Sequence, residues 1–202
     1  MNHSHEKTRR MVGLALFTAL VVILQLLGSF IRFGPFSISL VTLPIVVGAV
    51  LYGAWGGVWL GLVFGVTVLL SGDAAAFLSV HVPGTLITVL LKGVACGGAA
   101  GLMYRLLAPG AGGEGKRGRD TLASVAAAVV CPVVNTGTFL LGCLLFFMPT
   151  VSAWAEAMGF GENVGSYMIF GLVGGNFLAE MGTTVLLCPV ILRLIRLGRK
   201  EN

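Results

Sequence analysis

Four polar side chains lie inside long apolar stretches of the chain: Lys92, Asn135, Asn176 and Glu180. An ionisable or amide group is expensive in the hydrocarbon of a membrane, so it faces a bundle interior or a cavity there and marks a substrate or ion path. An ammonium group suits a carboxylate, and amides bind hydroxyl or amide groups. These residues therefore predict a membrane protein that binds or transports a small polar solute.

The composition and the apolar segments place the chain in a lipid bilayer. Of 202 residues, 56% are hydrophobic and 10% charged, against about 45–50% and about 25% in a soluble domain. Six segments approach the length of about 20 residues that a spanning helix needs: 11–30, 38–54, 56–72, 84–107, 121–148 and 164–197. We predict an all-α integral membrane protein, a bundle of about six transmembrane helices in one domain over 1–202. A five-span alternative stays open, since almost no loop separates the second and third segments.

Basic residues outside these segments set the orientation. They form four groups that six crossings place on one side: Lys7, Arg9 and Arg10; Arg105; Lys116, Arg117 and Arg119; Arg193, Arg196, Arg199 and Lys200. The positive-inside rule puts that side in the cytoplasm, with both termini, a tail over 1–10 and a loop over 108–120. Arg32 is the exception on the outer side, either snorkelling or serving the binding site. The net charge of +5 comes from these clusters and does not argue for a nucleic-acid partner.

Small residues at four-residue spacing predict close helix packing. Glycines recur in this way in two segments: Gly53, Gly57, Gly61 and Gly65; Gly93, Gly97 and Gly101. Such a face lets two helix backbones approach closely. We expect packing within the bundle, with a seam for a partner subunit as the alternative. For the pair Ala15 and Ala19, two interpretations stay open: packing inside the bundle, or an outer face that docks a partner.

Depth arithmetic brings the polar residues together. At a rise of about 1.5 Å per residue, Lys92 and Asn176 lie about 12 and 15 Å below the outer surface, and Asn135 and Glu180 about 20 Å. We therefore predict one pocket open to the outside, with Thr136 adding a hydroxyl. Glu180 lies one turn beyond Asn176 on the same face and pairs either with Lys92 or with a group nearer the cytoplasm. The alternative is a buried structural ion pair with amide clamps between helices.

The predicted ligand is a small polar organic anion. Lys92, reinforced by Arg32 in the loop above, suits a carboxylate. Aromatic residues are candidates for apolar walls: Trp55, Trp59, Phe139, Phe146 and Phe147. The two tryptophans fit interfacial anchors better. The apolar outer loops 29–40 and 72–84 are predicted lids, the first of them extended or hairpin-like.

Several other classes of protein are disfavoured. No His or Asp lies inside a predicted span to activate Ser124 or Thr136, so we predict no catalytic residue and no enzyme. The run 110–117 nearly spells a phosphate-binding loop, but Arg117 replaces the required hydroxyl, so a flexible linker is expected. The cysteines show no paired spacing, and we predict neither a metal nor another cofactor. A small secondary transporter or channel with Lys92 and Glu180 as ion relay remains the alternative.

Three motifs in order carry a family resemblance: Ala15-x-x-x-Ala19, Phe36-Ser-Ile-Ser-Leu-Val-Thr-Leu-Pro44 and Gly53-Ala-Trp-Gly-Gly57. With them the chain resembles a substrate-binding S component of the energy-coupling factor (ECF) vitamin transporters. The resemblance implies capture of a vitamin or related micronutrient at the cell membrane. It also implies three partners, namely a transmembrane coupling protein and two ATPase subunits. Ala15 and Ala19 would face the coupling protein, and the outer loops would gate the pocket.

Two further segments resemble the pantothenate-type branch of that family: Pro132-Val-Val-Asn135-Thr-Gly137 and Asn176-Phe-Leu-Ala-Glu180. Pantothenate carries a carboxylate, hydroxyls and an amide, in agreement with the pocket inferred from the residues. Biotin, niacin and folates remain alternative cargoes.

Overall fold

The computed structural model describes residues 3–29, 32–33, 36–37, 40–108 and 116–198, with side chains at 6–29, 40–108 and 118–193. Helices dominate this part of the chain. In order, the elements are α1 (His3–Gly28), β1 (Arg32–Phe33), β2 (Phe36–Ser37), α2 (Thr42–Tyr52), α3 (Ala54–Leu70), α4 (Ala75–Leu78), α5 (Val82–Leu107), α6 (Lys116–Phe146), α7 (Met148–Ala157), α8 (Val164–Ser166), a π-helix (Tyr167–Val173) and α9 (Gly174–Gly198). The last three follow without interruption and form one helical segment.

The apolar helices build the predicted all-α membrane bundle. Four stretches of the described chain are long and apolar enough to cross a membrane: Glu6–Gly28, Val82–Leu107, Gly118–Phe146 and Val164–Arg193. Two shorter apolar helices, α2 and α3, lie between the first and the second of these. Each of the six predicted segments therefore corresponds to a helix.

The second predicted span is too long. The structure begins α2 at Thr42, so that the helix has 11 residues and rises about 16 Å, roughly half of the hydrocarbon thickness. It ends at Gly53, whose φ of 83° lies in the left-handed region that favours glycine. This break makes α2 and α3 separate helices, although the sequence leaves almost no loop there.

The chain before α2 turns back on itself. Strand β1 pairs antiparallel with β2, with Arg32 opposite Ser37 and Phe33 opposite Phe36. This agrees with the hairpin-like segment expected in the first outer loop. The side chains of the hairpin, that of Arg32 included, lie outside the described residues.

Two segments predicted as tail and loop are partly helical. Helix α1 already begins at His3 and α6 at Lys116, inside the predicted tail over 1–10 and the predicted loop over 108–120. Lys, Arg and Glu are good helix formers, so the helices continue beyond their apolar parts. The orientation of the termini remains a prediction from the charge distribution.

The glycines form the closest helix contact of the bundle, between α3 and α5. A Cβ added at Gly61 would collide with the carbonyl oxygen of Gly93, and one at Gly57 with that of Gly97. One turn further, a Cβ at Gly65 would lie 3.0 Å from the carbonyl oxygen of Val89. The predicted packing seam within the bundle is confirmed for six of the seven glycines, which face backbone of the neighbouring helix. The exception is Gly53, where an added Cβ would meet nothing within 4 Å.

Two apolar clusters surround the polar centre of the bundle. The larger one joins α2, α3, α5, α6 and α9 and includes Val46, Leu60 and Cys96, all fully buried. The smaller one, with Phe77, Phe147 and Tyr167, packs α4 and α7 against the π-helix and the end of α6. Between them, side chains from seven helical elements and from the turn before α4 leave a cavity.

Candidate substrate-binding site

The intramembrane polar residues meet at a cavity of about 100 Å³. Its lining comes from α1, α3, the turn before α4, α4, α5, α6, the π-helix and α9: Gln25, Phe64, Val68, Asp73, Ala74, Phe77, Val89, Lys92, Asn135, Thr136, Phe139, Leu172, Val173, Asn176 and Glu180. Five of the six side chains predicted to bind substrate are among them. The sixth, Arg32, is not described at the side-chain level. Whether these residues contact a substrate stays a prediction.

Glu180 lies at the centre of an amide network. Its side chain is 1% exposed. Asn176 Nδ2 donates to Oε1 at 3.4 Å, and Asn135 Nδ2 donates to Oε2 at 3.5 Å. Both hydrogen bonds are long. Each carboxylate oxygen nevertheless accepts from one amide, that of Asn176 on α9 itself or that of Asn135 on α6. The spacing of four residues on α9 thus places Asn176 and Glu180 on one face, as expected.

Lys92 extends from α5 between two aromatic rings. Its Nζ lies 5.3 Å from the ring centroid of Phe64 and 5.4 Å from that of Phe139, within the range of cation–π attraction. The carboxylates of Glu180 and Asp73 line the same cavity. The rings hold the charge at the cavity wall.

Two polar residues of the cavity were missed by the sequence analysis. Gln25 on α1 is 2% exposed, and its Nε2 donates to Asp73 Oδ2 at 2.6 Å. This hydrogen bond joins α1 to the turn that covers the cavity. Gln25 carries the same signal as the four residues first singled out, a polar group within an apolar span. Asp73 gives no such signal, because it lies in a predicted loop.

Only some of the aromatic residues predicted as cavity walls line the cavity. Phe139 lines the cavity as predicted, together with Phe64 and Phe77. Phe147 is not among the described lining residues; the centroid of its ring lies 5.0 Å from that of Phe77. Phe146 also lies outside the lining and stacks on His81 at 5.8 Å.

The two tryptophans are exposed on the outside of the bundle. Trp55 is 83% and Trp59 48% exposed, and neither is among the described lining residues. The prediction of cavity walls is therefore wrong for both, and they fit the interfacial role that the sequence favoured. Trp59 Nε1 donates to Thr18 Oγ1 on α1 at 3.1 Å. It therefore also fixes α1 against α3.

Irregular backbone flanks the polar residues. Pro132 lies inside α6, three residues before Asn135, and it lacks the N–H that would bond the carbonyl one turn earlier. The π-helix Tyr167–Val173 ends just before Asn176 and contributes Leu172 and Val173 to the lining. Short π-helical segments occur frequently at functional sites.

A helical membrane bundle with a polar, partly charged cavity at its centre is a solute-binding membrane protein. A family model described as "ECF transporter, substrate-specific component" matches residues 9–192. The chain therefore belongs to the family of substrate-specific components of ECF transporters. Neither the comparison with curated proteins nor that with solved structures found a match.

Membership fixes the broad function of the chain. It is the substrate-capture subunit of an ECF transporter and a multi-pass protein of the cell membrane, not an enzyme. The family implies a small-molecule substrate and an ECF module with a coupling protein and ATPases. This agrees with the function expected from the intramembrane polar residues.

Proposed function

We propose that the cavity captures a small organic anion, with pantothenate as the best candidate. The observation that carries the proposal is the charge at the cavity: among its described lining residues, Lys92 is the only cation. A buried ammonium between two rings pairs well with a carboxylate, because the low dielectric strengthens the attraction. Lys92 is therefore the proposed partner of the carboxylate of the cargo.

The two carboxylates of the lining favour a cargo that carries hydrogen-bond donors as well as its own carboxylate. Glu180 and Asp73 are acceptors at the cavity, and an ionised carboxylate cannot donate. A simple carboxylic acid would bring only more acceptors. Pantothenate combines a carboxylate with an amide N–H and hydroxyl groups, so it offers a partner to both kinds of lining residue.

The size of the cavity adds a condition. A cavity of about 150 Å³ is large enough for benzene, and the cavity here measures about 100 Å³. Pantothenate is larger than benzene, so binding must widen the cavity. The turn with Asp73 and Ala74 and the short helix with Phe77 contribute to its lining, and we propose that these two segments move to admit the cargo.

A thermal-shift screen of the purified full chain in detergent tests this function. A ligand present at 100 times its Kd stabilises the folded state by about 2.7 kcal/mol. We expect a clear shift with pantothenate and none with its two halves, pantoate and β-alanine. Biotin, nicotinate and folate are the competing cargoes. A shift from one of these alone would replace pantothenate, and no shift from any would contradict capture of a vitamin-like anion.

We further propose that the exposed face of α1 with Ala15 and Ala19 docks the coupling protein. Only 11% of the apolar window of α1 is buried within the bundle, and both alanines are exposed. The neighbouring Leu16, 67% exposed, extends the apolar face. Such a small-residue surface permits close approach of a second helix.

Tryptophan on this face is expected to abolish assembly and leave capture intact. Ala15→Trp and Ala19→Trp each add a large ring where a helix would pack, without touching the cavity. We expect loss of co-purification with the coupling protein and the ATPases, and an unchanged thermal shift with pantothenate. Leu178→Trp, at a position on α9 that is 69% exposed, is the matched control and should assemble normally. Assembly of both alanine variants would contradict this docking face.

A further inference from the structure

One buried oxygen atom at the cavity lacks a hydrogen-bond donor among the described residues. Asn135 is 6% exposed, and its amide nitrogen donates to Glu180. Its amide oxygen Oδ1 is buried and has no hydrogen-bond partner among the described residues. Leaving a buried acceptor unpaired costs free energy, so such an atom in a binding cavity calls for a donor from outside the chain.

The orientation of this amide is set by its neighbour. Glu180 only accepts hydrogen bonds when it is ionised, so Asn135 must turn its NH₂ group towards the carboxylate and its oxygen away from it. Asn176 donates to the other carboxylate oxygen and thereby holds Glu180. Glu180 is thus a positioning residue, and Asn135 presents an acceptor rather than a donor.

We infer that Asn135 Oδ1 determines specificity by accepting a hydrogen bond from an N–H or O–H group of the cargo. This inference rests on the proposed function, since it assumes that the cavity binds a solute. A site built to bond a polar hydrogen rejects the analogue that lacks it far more strongly than an apolar pocket distinguishes shapes. Asn135 therefore separates donor-bearing acids from those that carry only a carboxylate.

The position of Asn135 defines the class of cargo more closely. Phe139, against which the Lys92 ammonium lies, follows Asn135 by four residues on α6, a rise of about 6 Å. The carboxylate and the donor are consequently recognised about one helical turn apart. The cargo is an extended acid whose N–H or O–H group is several bonds from its carboxylate.

The test uses pantothenate and three analogues, each of which lacks one donor. One has an ester oxygen in place of the amide N–H, and the other two have hydrogen in place of either hydroxyl. Affinities are measured by calorimetry on the full chain. We expect wild type to bind one analogue about 5- to 150-fold more weakly than pantothenate, the range expected for an orphaned buried acceptor.

Variants test whether Asn135 Oδ1 causes this difference in affinity between pantothenate and the analogue. In Asn135→Leu the affinity ratio between pantothenate and that analogue is expected to fall to about 1, and in Glu180→Gln, where the amide is no longer oriented, to an intermediate value. Thr88→Val is the control. Thr88 is 4% exposed and its Oγ1 is equally unpartnered within the described chain, but it is absent from the described lining, so the ratio should not change.

The outcomes separate the two proposals. Tight binding of pantothenate with no loss for any analogue, or a ratio that survives in Asn135→Leu, overturns the inference and leaves the proposed function standing. Failure of wild type to bind pantothenate overturns the proposed cargo and the inference together. If Asn135→Leu does not fold, the Glu180→Gln ratio decides, and a ratio equal to wild type counts against the inference.

Discussion

We expect Lys92→Met to weaken the binding of pantothenate by about 30- to 4,000-fold, while the cargo-free chain remains folded. Removing one partner of a buried charge pair costs about 2–5 kcal/mol, which corresponds to this range of Kd. Methionine keeps the length of the side chain and packs well against aromatic rings, so Phe64 and Phe139 retain a neighbour. The substitution is therefore expected to lower the affinity for pantothenate and not the stability of the cargo-free chain.

The measurement is a cycle between protein and ligand. Pantothenate and its primary carboxamide, which is neutral, are titrated into wild type, Lys92→Met and Arg105→Met. Wild type should prefer the carboxylate strongly, and Lys92→Met should bind both forms with similar affinity. Arg105, exposed near the end of the same helix, is the matched control and should behave as wild type.

A structural ion pair between Lys92 and Glu180 would give a different result. Breaking such a pair leaves an uncompensated buried carboxylate and destabilises the fold by about 3–5 kcal/mol. Thermal unfolding of cargo-free Lys92→Met reports this directly. A large loss of stability, together with an unchanged preference for the carboxylate, would contradict the role of Lys92 as the anion-binding residue.

The part of the site that is periodic along a helix could be predicted from the sequence. Asn176 and Glu180 are four residues apart, and this spacing alone places them on one face, where they form a hydrogen bond of 3.4 Å. Gly61 and Gly93 likewise follow from the spacing of small residues, and they meet backbone to backbone. The free-energy cost of a polar group in hydrocarbon was a second basis for prediction, since such a group in an apolar span must find a cavity or a partner.

The remainder depends on how helices are rotated against one another. Phe64 and Lys92 come from different helices, and no local pattern indicates that the ammonium lies over that ring. The hydrogen bond from Gln25 to Asp73 crosses 48 residues and involves a loop, where no burial cost marks the acidic residue. The π-helix before Asn176 is also set by packing, because its sequence is equally compatible with an α-helix.

The incorrect expectations have a common physical cause. Hydropathy predicted 38–54 as a spanning helix, but the helix begins only at Thr42 and ends before Gly53, whose positive φ breaks it. Phe147 is apolar and close in sequence to Phe139, yet it follows the end of α6 at Phe146, and its ring packs against Phe77 without lining the cavity. Both errors come from assigning a residue by its own polarity rather than by the element that carries it.

The glycine seam should be as sensitive to substitution as the binding residues, and we expect Gly61→Ala to destabilise the bundle by about 1–3 kcal/mol or more. The added methyl group would overlap the carbonyl oxygen of Gly93, which is backbone and cannot rotate away. Helices α3 and α5 must therefore separate. Since Phe64 lies on α3 and Lys92 on α5, the separation also disturbs the contact between them and weakens capture of the anion.

Paired substitutions reveal whether the seam acts as one contact. Gly93→Ala meets the carbonyl oxygen of Gly61 in return, so the first methyl group already forces the helices apart and the second adds less. Thermal unfolding should show that the double variant loses less stability than the sum of the single losses. Gly182→Ala on α9, where an added Cβ meets nothing within 4 Å, is the control and should stay within about 1 kcal/mol of wild type. Equal effects at Gly61 and Gly182 would mean that helix propensity, and not the close approach of α3 and α5, decides the stability of the bundle.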